Sequence, residues 1–498
     1  MKHVLVFGAG LVAGPLVQYL LDEAGFQVTV ASRTLSKAEA LVGDHPRGKA
    51  VQFDVAKDAA SLGELVAGAD LAVSLLPYIH HVQIAEQCIK HKRHLVTTSY
   101  VSDGMRALDG DAKEAGVILL NEIGLDPGID HMSAQRIIDH VHAGGGEIKS
   151  FRSYCGGLPA PEDNDNPLGY KFSWSPRGVV LAGRNDARYL ENGHVVQVPN
   201  ARLFATHYLM WVEGLGDFEA YPNRNSLPYI EIYGIPETDT MYRGTLRNLG
   251  WCDVLQKLNQ LGYFGLEERP DLPGKTFRQV MAELIGKAGT DDLKAGLAAF
   301  LNLSPTSGVM MTLEWLGLLE DAPVSDKNTL LDVLADQMLV KMNYREGERD
   351  LVVLVHEFVA VYPDREERIS STLIATGDPG GKTAMARTVG LPAAIGTRMI
   401  LEGEIALTGV HIPVLPEIYE PVLAELEQQF AEIVKKAFSA CFAASAVKEN
   451  RINAVTFEHV GNHQFLPLDA TVLLWYYAKY LAVCLAVCPV RHTKRRQA

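Results

Sequence analysis

Cysteine is scarce in this chain: six residues in 498, at positions 88, 155, 252, 441, 484 and 488, with no CxxC pair among them. So low a density excludes a disulfide-built scaffold and offers no paired thiolates for zinc. A reducing compartment and a protein without a resident metal are expected. Positive charge is also in short supply. The 46 Lys and Arg face 60 Asp and Glu, a formal net charge of −14. That excludes broad binding to nucleic acid or an anionic membrane, because neutralising many phosphates needs a basic face. Any basic site must be local. There is no repeat at solenoid period, and an apolar strand that starts at residue 3 leaves no room for a leader, so the cytoplasm is the expected location. Long apolar runs are absent except at residues 470–490, ATVLLWYYAKYLAVCLAVCPV. This run has the composition of a membrane anchor, yet Lys479 near its middle costs about 2.5–3.5 kcal/mol in a bilayer. Residues 437–498 are therefore read as an atypical tail with a packed or poorly ordered apolar helix, in which Cys484 and Cys488 are packing residues.

What is present is a hydrophobic content of 47%, enough for large cores, and a length that suits about two to four domains. The chain is organised around residues 3–33, HVLVFGAGLVAGPLVQYLLDEAGFQVTVASR. An apolar run, His3 to Phe7, leads into Gly8, Ala9 and Gly10, and apolar residues then recur at helical spacing through Leu21. This spells strand, tight turn, helix. Gly8 permits the turn, Gly10 lets a pyrophosphate approach the backbone, and small Ala13 lets helix and strand pack closely. The helix start presents unpaired N–H groups to a phosphate. A second strand, Gln27 to Ala31, ends in Ser32-Arg33-Thr34, where an NAD site usually carries an acid. A guanidinium between two hydroxyls suits a 2′-phosphate instead, so NADP(H) is the expected cofactor. The plainer alternative is a solvated arginine in a turn.

The alternation continues with strands at Val51 to Val55, Leu71 to Leu76, His94 to Thr98 and Val117 to Leu120, and helices at Ser61 to Ala67 and Val82 to Ile89. Six short apolar strands separated by amphipathic helices define an α/β, doubly wound parallel sheet, whose ligands bind beyond the strand C-termini. That rule singles out Asp54 and Val55, Leu75 to Tyr78, Ser99 and Tyr100, and Asn121 and Glu122 as the wall of a cleft. From about Gly128 the rhythm changes. Strand-like segments at 148–156, Tyr229 to Tyr233, Thr240 to Arg243, Leu351 to Val361 and Ile369 to Ala375 predict a second, mixed α/β domain. Residues 248–345 are almost wholly helical in pattern, which predicts a small inserted helical domain. Helical runs from Ala384 to Leu401 and Glu417 to Lys436 can return to the nucleotide domain.

Three stretches carry chemistry. NEIGLDPGIDH, residues 121–131, follows the sixth strand and concentrates titratable groups where a nicotinamide would lie. A Pro-Gly turn capped by Asp130 explains part of it, but Asp126 precedes the turn and faces the rim. Next, residues 154–177 contain an aromatic-rich loop that can cover a flat ring. Last, Arg224, Arg243 and Arg247 are able to clamp carboxylates bidentately, with surface ion pairs as the plain alternative.

Taken together, GAGLVA, ASRT, SLLPY, TTSY, NEIGLDPGIDH, SYCGGLPAPEDNDNPLGYKFSWSPRG, YPNR and RGTLR resemble the saccharopine reductase family, the L-glutamate-forming, NADP-dependent saccharopine dehydrogenases of the α-aminoadipate route to lysine. The resemblance runs in order from residue 1 to about 436. It implies a Rossmann domain over 1–128 completed by about 384–436. It also implies an α/β substrate and dimerisation domain over 129–247 and 346–383, with the helical insertion at 248–345. Carried over by motif, NADP(H) contacts fall on Gly8, Gly10, Leu11, Val12, Ser32, Arg33, Thr34, Asp54, Val55, Leu75 and Leu76, with Asp126 and Trp174 also beside the cofactor. Substrate contacts fall on Ser99, Tyr100, Asp126, Arg224, Thr245, Leu246 and Arg247, and Asp126, Tyr100 and Cys155 stand as the catalytic candidates. The implied partners are L-glutamate, α-aminoadipate 6-semialdehyde, saccharopine and a second copy of the chain. Two rival readings remain open at this level: another carbon–nitrogen reductase of the carboxynorspermidine synthase type, and a non-catalytic NADP-binding redox sensor.

Overall fold

The computed structural model describes residues 1–287 and 289–445; the apolar stretch at 470–490 lies outside them. The first sheet holds β1 (His3–Phe7), β2 (Gln27–Ser32), β3 (Gly48–Gln52), β4 (Leu71–Ser74), β5 (His94–Thr97) and β6 (Ile118–Leu120), all parallel, in the order β6-β5-β4-β1-β2-β3. Pleating sends alternate side chains to opposite faces. Val4 and Val6 of β1 enter one core with the helices that follow, while Leu5 and Phe7 enter another with Phe53 and Val55. The expected third strand shifts: β3 ends at Gln52, because Val51 and Gln52 pair with Ala31 and Ser32. Asp54 and Val55 therefore lie just beyond the strand.

The second sheet is mixed. It contains β7 (Glu147–Pro159), β8 (Ala187–Glu191), β9 (His194–Val198), β10 (Tyr208–Val212), β11 (Gly216–Pro222), β12 (Thr240–Arg247), β13 (Asp350–Val361) and β14 (Glu366–Thr376). The order is β10-β11-β12-β7-β13-β14, with β12 and β7 parallel and β8 paired to β12 and β9. Residues 229–233, expected as a strand, are instead covered by a short helix, Pro228–Ile232, and its C-cap Tyr233. Pro228 sets the first-turn φ of that helix and removes an N–H that has no partner there. Between β12 and β13 run the helices Trp251–Gln260, Phe277–Leu284, Leu293–Leu301, Gly308–Trp315 and Leu330–Lys341, which share one core with Leu168, Tyr170, Phe172 and Tyr221.

The chain then returns to the first sheet. Asp350, at the start of β13, accepts the Ala384 and Met385 N–H groups at 2.6 and 2.9 Å and so caps the helix Ala384–Glu402. A carboxylate at a helix N-terminus satisfies orphan donors and complements the dipole. This helix packs into the nucleotide half through glycine. A Cβ at Gly390 would lie 2.9 Å from the Val12 carbonyl oxygen, a distance no side chain tolerates. After it, β15 (Gly409–His411) adds a seventh parallel strand outside β6. No helix of the described residues is long and apolar enough to cross a membrane.

Candidate active site

The nucleotide end is built by the β1 turn. Gly8 has φ +107°, and a Cβ there would sit 3.2 Å from the Leu75 carbonyl oxygen, so strand ends β1 and β4 approach as only glycine allows. At Gly10 nothing lies within 4 Å of a Cβ position, which leaves the open backbone a pyrophosphate needs. Leu11 is exposed and Val12 half-buried at the same lip. At the far end Ser32 closes β2, and Arg33 and Thr34 are exposed. The Ser32 hydroxyl accepts the Thr34 N–H at 3.3 Å, and Gln52 donates to the Arg33 carbonyl at 3.3 Å, which fixes the turn. No ion pair involving Arg33 forms among the described residues. A free guanidinium beside two hydroxyls, with no acid in the ribose position, fits a 2′-phosphate. Asp54 turns its carboxylate to the Ala56 N–H at 3.1 Å, Val55 is buried, and Leu75 and Leu76 are half-buried at the end of β4.

Across the rim, a buried cluster ties the two sheets. Arg243 on β12 directs Nη2 to Asp126 Oδ1 at 2.5 Å, to Asp130 Oδ2 at 2.7 Å and to the Tyr100 hydroxyl at 3.3 Å. The Tyr100 hydroxyl donates to the same Asp126 oxygen at 3.0 Å. Arg243 also stacks on Tyr229, 4.4 Å from the ring centroid. Behind it His131 joins Tyr233 at 2.6 Å and Glu122 at 2.8 Å. The two aspartates share one guanidinium and separate in acidity. Burial pushes Asp126 up, against the pull of Arg243, with Asp130 adding to the rise. Asp130 is the more deeply placed, its side chain 1% exposed against 14% for Asp126, but His131, Arg243 and the Gly128 N–H at 2.6 Å outweigh its burial and hold it below the usual carboxylate range. Asp130 thus lies inside the first turn of the helix Ile129–Ala143, whose N-cap is Gly128, and is not the capping residue expected from the sequence. Burial pushes the Tyr100 hydroxyl well up, so it remains protonated.

Alternate residues of β12 share a face. Arg243, Thr245 and Arg247 form one row, and Thr245 pairs with Cys155 on β7. Arg247 is buried, between Tyr170 and Trp251 at 4.9 and 5.4 Å from their centroids. Its Nη1 donates to the Leu246 carbonyl at 2.8 Å, and among the described residues its Nε has no partner and no carboxylate is within ion-pair distance. Leu246 itself is fully buried with Tyr154 and Leu158 on the opposite face of the sheet, so only its backbone is available to a ligand. Arg224 is exposed, at φ +54°, and lies 5.2 Å over the Tyr100 ring. Burial first, then Asp126 and Asp130, push the Cys155 thiol well up, which keeps it neutral. Trp174 packs against both the nucleotide-side core and the insertion core. Ser99 accompanies Tyr100 at the rim, half-buried.

Fold and site together define an NADP-binding α/β oxidoreductase whose second sheet carries the buried guanidinium groups of Arg243 and Arg247. The comparisons narrow this. Residues 4–120 match the saccharopine dehydrogenase NADP binding domain, and residues 124–431 match the saccharopine dehydrogenase C-terminal domain. Saccharopine dehydrogenase [NADP(+), L-glutamate-forming] of Pyricularia oryzae is 43% identical over 441 residues, covering 86% of this chain and 97% of that protein. The protein of the same name from Saccharomyces cerevisiae is 40% identical and covers 87% of this chain and 99% of its own. A solved structure, apo histidine-tagged saccharopine dehydrogenase (L-Glu forming) from Saccharomyces cerevisiae, superposes with a TM-score of 0.78 at 39% identity, over 86% of this chain and 98% of that one. The chain belongs to the saccharopine dehydrogenase family.

Sequence reasoning missed the partners behind these residues. Arg243, considered a substrate clamp, is engaged by the protein's own carboxylates, with His131, Tyr229 and Tyr233 behind it; Glu122, expected with Asn121 on the cleft wall, is buried as Asn121 is and joins His131 instead. His81 was also missed, although it opens a helix directly after SLLPYIH.

Proposed function

We propose that this protein joins L-glutamate to α-aminoadipate 6-semialdehyde and reduces the product to saccharopine, reversibly, with NADPH as reductant. The glutamate amine adds to the aldehyde, the carbinolamine loses water to give an imine, and the imine carbon accepts a hydride while its nitrogen takes a proton. The balance is glutamate, semialdehyde, NADPH and a proton giving saccharopine, NADP⁺ and water. The observation that carries this reading is Arg247, a buried guanidinium without an acidic partner among the described residues, on the same β12 face as Arg243. Leaving a charge so buried is costly unless a ligand completes it.

NADPH, when bound, supplies the hydride. The chain's own residues do the rest. Gly8, Gly10, Leu11 and Val12 form the open lip for the pyrophosphate, and Ser32, Arg33 and Thr34 receive the 2′-phosphate. Arg247 and Arg224 each hold a substrate carboxylate, with Thr245 and Ser99 as hydroxyl donors. Holding two of the substrate's three carboxylates helps fix the imine carbon in a near-attack position. Asp126 and Tyr100 orient the carbinolamine and move its proton. Asp126 suits that task because burial raises its pKa from the usual carboxylate value, against the pull of Arg243. Cys155 and Trp174 exclude water from the reacting centre.

The division into a nucleotide domain at 1–128 and about 384–436, a substrate domain at 129–247 and 346–383, and an insertion at 248–345 belongs to the same reading. So do a cytoplasmic location and a homodimer. Edge strand β10 supports the dimer, with Leu209 62% and Trp211 67% exposed on one face; light scattering of the purified protein tests it.

The deciding assay follows NADPH absorbance with semialdehyde and glutamate together and with each alone. Consumption is expected only with both. Turnover with a diamine in place of glutamate would favour the carboxynorspermidine type of reductase, and NADPH binding with no turnover under any condition would favour the redox sensor.

A further inference from the structure

We propose that His81 is a positioning residue for substrate: its imidazole links the Ser74 hydroxyl to the Ser99 hydroxyl and turns the Ser99 hydrogen toward a substrate carboxylate. This rests on the reading above that Ser99 touches substrate.

His81 is 3% exposed and opens the helix His81–Lys90. Its Nδ1 lies 2.9 Å from Ser74 Oγ, and its Nε2 lies 2.8 Å from Ser99 Oγ and 3.1 Å from Thr97 Oγ1. Ser74 and Thr97 are the last residues of β4 and β5 and stand opposite each other in register. The ring therefore bridges the two strand ends that lead, respectively, to Leu75 and Leu76 on the cofactor side and to Ser99 and Tyr100 on the substrate side. Burial holds its pKa down to about 4, with His80 adding to the effect. Near neutral pH the ring is uncharged and has one donor and one acceptor nitrogen.

That arithmetic decides what Ser99 can show to a ligand. If Nε2 carries the hydrogen, it donates to Ser99 Oγ, the Ser99 hydrogen is left free, and Nδ1 accepts from Ser74. If Nδ1 carries it, Nε2 becomes an acceptor for which Ser99 and Thr97 compete, and a Ser99 that donates inward offers only lone pairs outward. A carboxylate needs a donor, so the first arrangement is the productive one. Thr97 stabilises the turn independently, because its hydroxyl also accepts the Ser99 N–H at 3.3 Å. A ring needed only for packing would be better replaced by an apolar residue. Three hydroxyls, one of them half-buried at the rim, indicate orientation instead.

The test is a double-mutant cycle on the holoenzyme, assayed in the saccharopine-oxidising direction with NADP⁺. Ser99→Ala is expected to raise KM for saccharopine about tenfold, the scale of one hydrogen bond to a charged group. His81→Asn, which cannot span the same hydroxyls, is expected to raise it similarly. The double variant should be no worse than Ser99→Ala within about twofold, and KM for NADP⁺ should hold throughout. Multiplied losses would show that His81 acts apart from Ser99 and overturn the proposal. So would an unchanged KM in His81→Asn, or a parallel rise in KM for NADP⁺. If His81→Asn does not fold, Ser74→Ala carries the same cycle: a several-fold rise is expected alone and none on the Ser99→Ala background, and any other result overturns the link. A silent Ser99→Ala would remove Ser99 from the substrate site, while NADPH consumption with both substrates would still support the reaction.

Discussion

Arg243 meets Asp126 across the two sheets, Nη2 to Oδ1 at 2.5 Å, and thereby fixes the residue proposed to handle the proton. The same nitrogen holds Asp130. One cation thus serves two acids that are mostly hidden from water.

Removing that cation strands both acids. Arg243→Leu is expected to cost about 3–5 kcal/mol of stability, the scale for breaking a buried pair from one side. Urea unfolding measures it. A loss below about 1 kcal/mol would mean that the cluster is as weak as a surface pair.

Arg247 is predicted to behave oppositely. Its guanidinium is buried without an acidic partner among the described residues, so Arg247→Met should leave the melting temperature unchanged or raise it. The same variant should raise KM for saccharopine by about tenfold or more. Arg224→Ala, at an exposed arginine, should also weaken saccharopine more than NADPH. Calorimetry and steady-state kinetics on the two variants decide it, and equal losses for both ligands would contradict the carboxylate role.

Cofactor choice should follow Arg33. Arg33→Ala is expected to narrow the preference for NADPH over NADH by about tenfold to a hundredfold in kcat/KM, the range for a charge-assisted contact. An unchanged ratio would remove Arg33 from the phosphate site.

Acid lability should come partly from neutral buried histidines. Burial lowers both His81 and His356, a buried residue of β13 whose Nε2 lies 2.8 Å from the Ser133 hydroxyl, to about 4, while in the unfolded chain both titrate near the ordinary value of 6.5. As pH falls from about 6.5 to 4, the unfolded state takes up protons that the folded state refuses, so stability falls. Each group contributes a slope of up to about 1.4 kcal/mol per pH unit. His356→Leu should flatten the dependence by that amount whatever it does to stability at pH 7. Urea midpoints at several pH values compare the two proteins, and parallel curves would refute the assignment.

The nucleotide half was legible because its signals are local: an apolar run, glycines at fixed spacing, and a hydroxyl-flanked Arg33. The parallel strands show as short apolar runs since both faces are covered. The second sheet was harder to read. Its β8 and β9 alternate with polar residues and were missed, although Asn192 and Gly193, with φ of 48° and 79°, form the turn that an Asn-Gly pair announces. Residues 229–233 misled because tyrosine and isoleucine favour strands, while Pro228 and the surrounding packing favour a helical turn. In the candidate site, the exposed or rim residues were proposed by motif. Their backing was not, because His81 reaching Ser74 and Ser99, or Arg243 reaching Asp126, depends on contacts between strands that no spacing along the chain records.

The seventh strand bears on how the protein is made. Val410 donates its N–H to Asp109 across 301 residues of sequence, and β15 covers the otherwise bare edge of β6. Until the ribosome has passed that point, the dinucleotide half is exposed along a pairing edge and lacks the helix that Gly390 seats against Val12. Nascent chains stalled before residue 384 should therefore lean on chaperones, and a fragment cut there should be an aggregating piece rather than a small working nucleotide binder.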